Sequence, residues 1–178
     1  MTGCRCGFDW EADGGAVVAG LRSLPDEVRR AVAAVVASEG GTRRCRRRPA
    51  PGVWSVVEYT AHTRDALLWY GDRIDRVLAE DRPVLAPCDW DRACAERGYA
   101  EEDPDAAVAG LAAAAVELAG RLDRLDPGSW DRVGVGSTGS ARRLLDLARR
   151  AGHEGRHHLD DIRRVATLVR AASPTAGE

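Results

Sequence analysis

The chain contains no lysine; all 26 of its basic residues are arginine. Aromatic residues are also scarce, at 5% of 178 positions. Excess charge of either sign is missing: 26 basic residues face 28 acidic ones, a formal net charge of -2. That balance excludes the strongly basic field of a dedicated nucleic-acid binder. No run of about 18 apolar residues exists, which excludes a membrane-spanning helix. The opening segment, MTGCRCGFDWEADGG, has no apolar stretch and carries acids, which speaks against a secretory signal. The five cysteines (Cys4, Cys6, Cys45, Cys88 and Cys94) are odd in number and irregularly spaced. They read as reduced thiols of a cytoplasmic protein rather than a disulfide framework. Internal repeats are absent, and so are strand-period segments of useful length. Val133 and Val135 alternate, but glycine surrounds them.

Helical segments fill the space those absences leave. A chain of this length forms one domain, 1–178, that buries roughly two-thirds of its unfolded surface without staples. After a short tail to about residue 14, a first helix is predicted from Gly15 to Ser38, interrupted at Pro25. An Arg-rich loop over 39–53 follows, non-helical across Pro49 and Pro51. The second helix opens at Trp54-Ser55, where Ser55 and Glu58 form an S-x-x-E capping box, and runs to Glu80. A long polar connection covers 81–102 and carries Trp90 and Tyr99; connections of that length are often pocket walls. Asp103-Pro104 is an N-cap followed by proline, opening a third helix that ends near Asp126. A Gly/Ser loop then leads to Ser140, the expected N-cap of a last helix reaching Ala172, before a C-terminal tail over 173–178. Four such helices predict an all-α, four-helix bundle.

Histidine is rare but unevenly placed. There are four, and His153, His157 and His158 crowd into six residues of the last helix. Two metal motifs overlap there. H-E-x-x-H would use His153 and His157 with Glu154 as general base, as in zinc proteases. E-x-x-x-H would use Glu154 and His158. Both pairs are four apart and share a face. Helical rotation separates them. The apolar stripe runs through Leu144, Ala148, Ala151, Gly155, Leu159, Ile162, Ala166 and Val169. His153 and His157 lie nearly opposite that stripe, in a row with Asp146, Arg149, Arg150, Asp160 and Arg164 that reads as solvated. His158 sits roughly 45° and Glu154 roughly 80° from the stripe centre, so this pair can look into the bundle. His62 lies at the edge of the second helix's apolar stripe, beside Tyr59 and Ala66. Alone it reads as a hydrogen-bonded histidine at a helix interface. With Glu154 and His158 it completes a three-ligand set that leaves a metal position open.

These residues also resemble a known family. W-S-x-x-E-x-x-x-H (Trp54, Ser55, Glu58, His62) and the last-helix motif Glu154, His158, Ile162 resemble the DinB/YfiT-like superfamily of metal-binding four-helix bundles. That superfamily includes the mycothiol-dependent maleylpyruvate isomerase metal-binding domain. The resemblance spans about residues 15–170. The family's usual helix-four pattern is H-x-x-x-H; here Glu154 replaces the first histidine, similar to the His/Glu/His set of the mycothiol-dependent branch. The resemblance implies a divalent metal, zinc first and nickel second, on His62, Glu154 and His158. It also implies a thiol S-transferase that uses mycothiol or a similar thiol against a small electrophile. A metal bound to the thiol would make it a thiolate at neutral pH. Arg64, Arg97 and Tyr99 are the cofactor-binding candidates, where the arginines could clamp a carboxylate of either substrate. The all-arginine composition fits a GC-rich, actinobacterial-like source, where mycothiol is the expected thiol.

Two further functions stay open: a hydrolase or isomerase using metal-activated water, and a non-catalytic metal-binding stress or dimerisation module. The expected partners are a small electrophile and a thiol, with no nucleic acid and no membrane, and with room for a homodimer. Arg43, Arg44, Arg46, Arg47 and Arg48 could touch phosphate, but in a neutral protein they read as a solvated turn. Cys4-x-Cys6 lacks a partner pair in sequence, and Cys88 and Cys94 have no neighbouring histidine to activate them. Trp10, Trp69 and Trp130 read as packing residues.

Overall fold

The computed structural model describes residues 4–172, so the tail expected at 173–178 lies outside the described residues. Four long helices form the bundle: α1 (Gly14–Val36), α3 (Val56–Ala79), α5 (Pro104–Asp123) and α6 (Leu144–Ala171). Two short helices, α2 (Gly41–Arg46) and α4 (Trp90–Arg97), lie in the connections. Both α1 and α3 pack on α5 and α6, so α1 and α3 stand diagonally. Leu21, Val28, Leu67, Ile74, Leu111, Leu118, Leu159 and Ile162 meet in the shared core.

The capping signals explain where most helices begin. Asp13 accepts from the Ala16 amide at 2.8 Å and starts α1. The Ser55 hydroxyl accepts from the Glu58 amide at 3.3 Å, and Glu58 accepts from the Ser55 amide at 2.8 Å. Asp103 accepts from the amides of Asp105 and Ala106, with Pro104 at the first helical position. The first expected boundary is corrected: Pro25 does not interrupt α1. A proline inside a helix costs about 3 kcal/mol. Burial of Leu21, Leu24 and Val28 around it, at about 1.5–3 kcal/mol per side chain, outweighs that.

The connections hold more structure than expected. Residues 39–53 contain α2. The 81–102 segment contains β1 (Val84–Leu85), α4 and a 3₁₀ turn at Tyr99–Glu101. β1 pairs in parallel with β2 (Val133–Gly136), which pairs antiparallel with β3 (Ala141–Arg143). Strand structure therefore exists where none was expected, with Val84 opposite Val135. β3 also takes the residues just after Ser140, so α6 begins at Leu144 with Arg143, not Ser140, as its N-cap.

Arg43, Arg47 and Arg48 of the Arg-rich loop are exposed, yet three of its arginines are tied to the rest of the fold. Arg48 forms a two-pronged pair with the buried Glu58 carboxylate. Arg44 donates to the carbonyls of Val169, Arg170 and Ala172 and so caps the end of α6. Arg46 donates to the carbonyls of Glu101 and Glu102.

Candidate metal centre

His62 projects from the second turn of α3, one turn past the Ser55–Glu58 box that sets the helix's start. Glu154 and His158 project from mid-α6, one turn apart. Gly155 lets α6 approach α1 closely: a Cβ there would lie 2.7 Å from Leu24 Cδ2. The three functional side chains converge. His158 Nε2 lies 3.3 Å and His62 Nε2 3.8 Å from the same oxygen, Glu154 Oε2. The two imidazoles stand nearly perpendicular, with centroids 4.6 Å apart. His62 is 4% exposed and His158 12%.

A tetrahedral ion with bonds of about 2.1 Å separates its donors by roughly 3.4 Å, so the His62, Glu154 and His158 donors fit one. Two neutral imidazoles and one carboxylate suit zinc or a neighbouring transition metal. His62 Nδ1 is buried with no hydrogen-bond partner among the described residues. A metal at Nε2 would leave the proton on that Nδ1, so His62, unlike His158, would lack the acceptor that usually orients a metal-bound imidazole.

Electrostatics agree with this geometry. Burial pushes the Glu154 carboxyl up, but His158 and His62 outweigh it and hold the carboxyl far below the usual range. Burial alone would lower His158; its hydrogen bonds with Asp161 and Glu154 raise it instead. Asp161 Oδ2 lies 3.1 Å from His158 Nδ1. A carboxylate there leaves the proton on Nδ1 and the Nε2 lone pair free for a metal.

Aromatic side chains wall the site. Trp54 and Trp90 meet the His62 ring edge-on, at 5.0 and 4.9 Å between centroids. Tyr59 lies against His158. Burial, then the negative charge of Glu154, pushes the Tyr70 hydroxyl up to about 12, so it keeps its proton. Beside it opens a cavity of about 280 Å³ lined by Trp69, Tyr70, Arg73, Arg142, Arg150 and Ser137 among others.

Helical rotation thus brings together His62, Glu154 and His158. Arg64, Arg97 and Tyr99 gather elsewhere, around the buried carboxylate of Asp65. Arg64 donates to it at 2.8 Å, the Tyr99 hydroxyl at 2.6 Å, and Arg97 completes the set. Arg64 also pairs with Glu102. His153 and His157 stay outside the bundle, yet they are not simply solvated: both are partly buried beneath the N-terminal segment. Sequence reasoning missed Asp161, Asp65 and the contact of Trp54 with His62, while Trp90 lies on the connection it read as a pocket wall. Asp161 had a signal, a carboxylate three residues after a candidate ligand histidine.

The profile of the DinB superfamily matches residues 17–162. The chain belongs to the DinB superfamily. Among solved structures, YfiT from Bacillus subtilis is similar, with a TM-score of 0.76 at 17% identity. The match covers 88% of this chain and 90% of that one. YfiT is described as "a probable metal-dependent hydrolase with an unusual four-helix bundle topology". No curated protein sequence matches. In this DinB chain the donors sit where α3 and α6 pack together, inside the matched region.

Proposed function

We propose that this DinB protein is a metal-dependent transferase that activates a low-molecular-weight thiol of the mycothiol class against a small electrophile. One observation carries the reading: two imidazoles and one carboxylate converge within 4.8 Å, and Tyr70, which feels the Glu154 charge, lines an arginine-bearing cavity. A divalent metal, zinc first, would lower the pKa of a thiol at its open position. His62, Glu154 and His158 supply the ligands, and Asp161 holds His158 in the required tautomer. Trp54 and Trp90 keep bulk water from the site. Arg73 and Arg150 line that cavity, where their guanidiniums would pair with a carboxylate of the electrophile. The donors of Arg64, Arg97 and Tyr99 are committed to Asp65. There they fix α4, and with it Trp90, against α3, which is a positioning role. In the reaction the thiol proton leaves to solvent. The sulfur bonds to the electrophilic carbon, whose leaving group departs with its electron pair.

The likeness to YfiT supports a second reading, hydrolysis with water in the thiol's place. Both are tested by incubating the zinc-loaded protein with mycothiol and a haloalkyl electrophile, and separately with ester and amide substrates. The transferase reading expects conjugate above the uncatalysed rate, lost in His158→Ala. Hydrolysis with no conjugation across several thiols supports the second reading. Absence of both, with metal bound, leaves a binding module.

A further inference from the structure

A second cluster of metal-ligating side chains lies on the outer face of α6, apart from the donors in the bundle. Cys4 and Cys6 come from the N-terminal segment, and His153 and His157 from α6. Their ligand atoms all lie within 4.8 Å of one another. The Cys4 and Cys6 sulfurs are 3.0 Å apart, and Cys4 Sγ lies 3.2 Å from His157 Nδ1. We propose that these four residues form a Cys2His2 site for a structural divalent cation of the zinc type, which clips the N-terminal segment onto α6.

Several independent features point to it. All four residue types are zinc ligands, and four protein ligands close a tetrahedral site, as in structural rather than catalytic zinc. Sulfur and nitrogen donors on a tetrahedral zinc sit roughly 3.4–3.8 Å apart, so small side-chain rotations bring this cradle to that spacing. Among the described residues, His153 Nε2 is buried with no hydrogen-bond partner. The His153 and His157 rings stack, with centroids 5.4 Å apart and planes within 14°. That arrangement follows from their i, i+4 spacing and leaves both able to face one ion.

The surrounding chain is shaped to deliver the cysteines. Phe8 and Trp10 pack on His153 with centroids 5.7 and 4.7 Å away. Phe8 lies over Gly152, where a Cβ would come within 3.1 Å of its ring. Gly7, at φ 69°, makes the left-handed bend between Cys6 and Phe8. Arg156 donates to the Cys6 carbonyl at 3.0 Å. Coordination would release the thiol protons to solvent.

The site also has the outer carboxylate that zinc-bound histidines usually have. With Nδ1 of His157 toward Cys4, its Nε2 lies 3.6 Å from Asp161 Oδ2. That oxygen is the one that meets His158 Nδ1. Asp161 therefore stands between the two histidine pairs. The odd C-x-C motif and the two histidines turned away from the bundle thus share one explanation.

Cobalt substitution separates the two sites, because only this one supplies thiolate. The full chain, purified under reducing conditions and reconstituted with Co²⁺, should bind two equivalents and show a near-ultraviolet thiolate-to-cobalt charge-transfer band. Cys6→Ser should lose the band and one equivalent. His62→Ala should lose one equivalent and keep the band. Should Cys6→Ser fail to fold, the wild type still answers: zinc should protect Cys4 and Cys6 from alkylation, and a chelator should expose them. The proposal is overturned by wild-type protein that lacks the band, by a band that survives Cys6→Ser, by alkylation indifferent to zinc, or by a Cys4–Cys6 disulfide in the reduced preparation. Loss of metal in His62→Ala with the band intact bears only on the bundle site, so the two readings fail separately.

Discussion

Replacing Asp65 by alanine should destabilise the bundle by an amount that can be worked out from its three partners. The carboxylate is 4% exposed and accepts from Arg64, Arg97 and Tyr99. Alanine strands the Tyr99 hydroxyl, which belongs to a fully buried residue. A stranded buried polar group costs about 1–3 kcal/mol. The arginines add less than the 3–5 kcal/mol of a fully buried broken pair. Arg64 keeps Glu102, and Arg97 is 59% exposed and can turn to water. The sum is about 2–4 kcal/mol, a fall in Tm of roughly 4–16 °C for a chain of this size. Asp65→Asn should lose less than half of that, because its carbonyl can still accept from Tyr99. Adding Tyr99→Phe to Asp65→Ala should recover about 1 kcal/mol by removing the stranded group. Urea unfolding read by tryptophan fluorescence measures all four proteins. Burial pushes the Asp65 carboxyl up, but Arg64, Tyr99 and Arg97 outweigh it and hold its pKa below the ordinary 3.8. The folded-state pKa is depressed, so the contribution is present above the ordinary value and lost as pH falls through the folded one. The gap between wild type and Asp65→Asn should be level from neutrality to about pH 4 and close below it. A loss under about 0.5 kcal/mol in Asp65→Ala would refute the reasoning.

Other perturbations follow from the same geometry. Asp161→Ala should weaken metal at the bundle site by about 10–100-fold, through loss of the His158 orientation; competition with a zinc chelator measures it. Arg48→Ala should leave the Glu58 carboxylate buried and unpaired, costing about 2–4 kcal/mol after allowance for the half-exposed arginine; thermal unfolding against Arg47→Ala is the control. Gly155→Val should push Leu24 aside and cost about 1–3 kcal/mol, seen in the urea midpoint, while Gly20→Ala, where a Cβ meets nothing, should be neutral or stabilising.

Most of the bundle was legible because its signals are local. Ser55 and Glu58 lie one turn apart, and Asp103-Pro104 announces a helix start without reference to anything else. The convergence of Glu154 and His158 on one side of α6 followed from rotation about the helix, since a packed helix must bury its apolar stripe. The sheet was hidden because its strands span two to four residues and Val84 finds its partner only at Val135. Pro25 misled because its local cost is visible in sequence, whereas the burial that offsets it is tertiary. Helical rotation placed His153 and His157 correctly away from the core. It could not show that the N-terminal segment folds back over that outer face. Arg64 and Arg97 looked available for a substrate because nothing local marks Asp65 as the buried carboxylate they serve.

The proposed chemistry requires one divalent metal among His62, Glu154 and His158. Anomalous scattering at the zinc edge, from crystals of zinc-loaded protein, tests it most directly. A peak is expected about 2.0–2.2 Å from His62 Nε2, a Glu154 carboxylate oxygen and His158 Nε2. A saturated crystal with no peak there, or with Glu154 turned away from the ion, would contradict it.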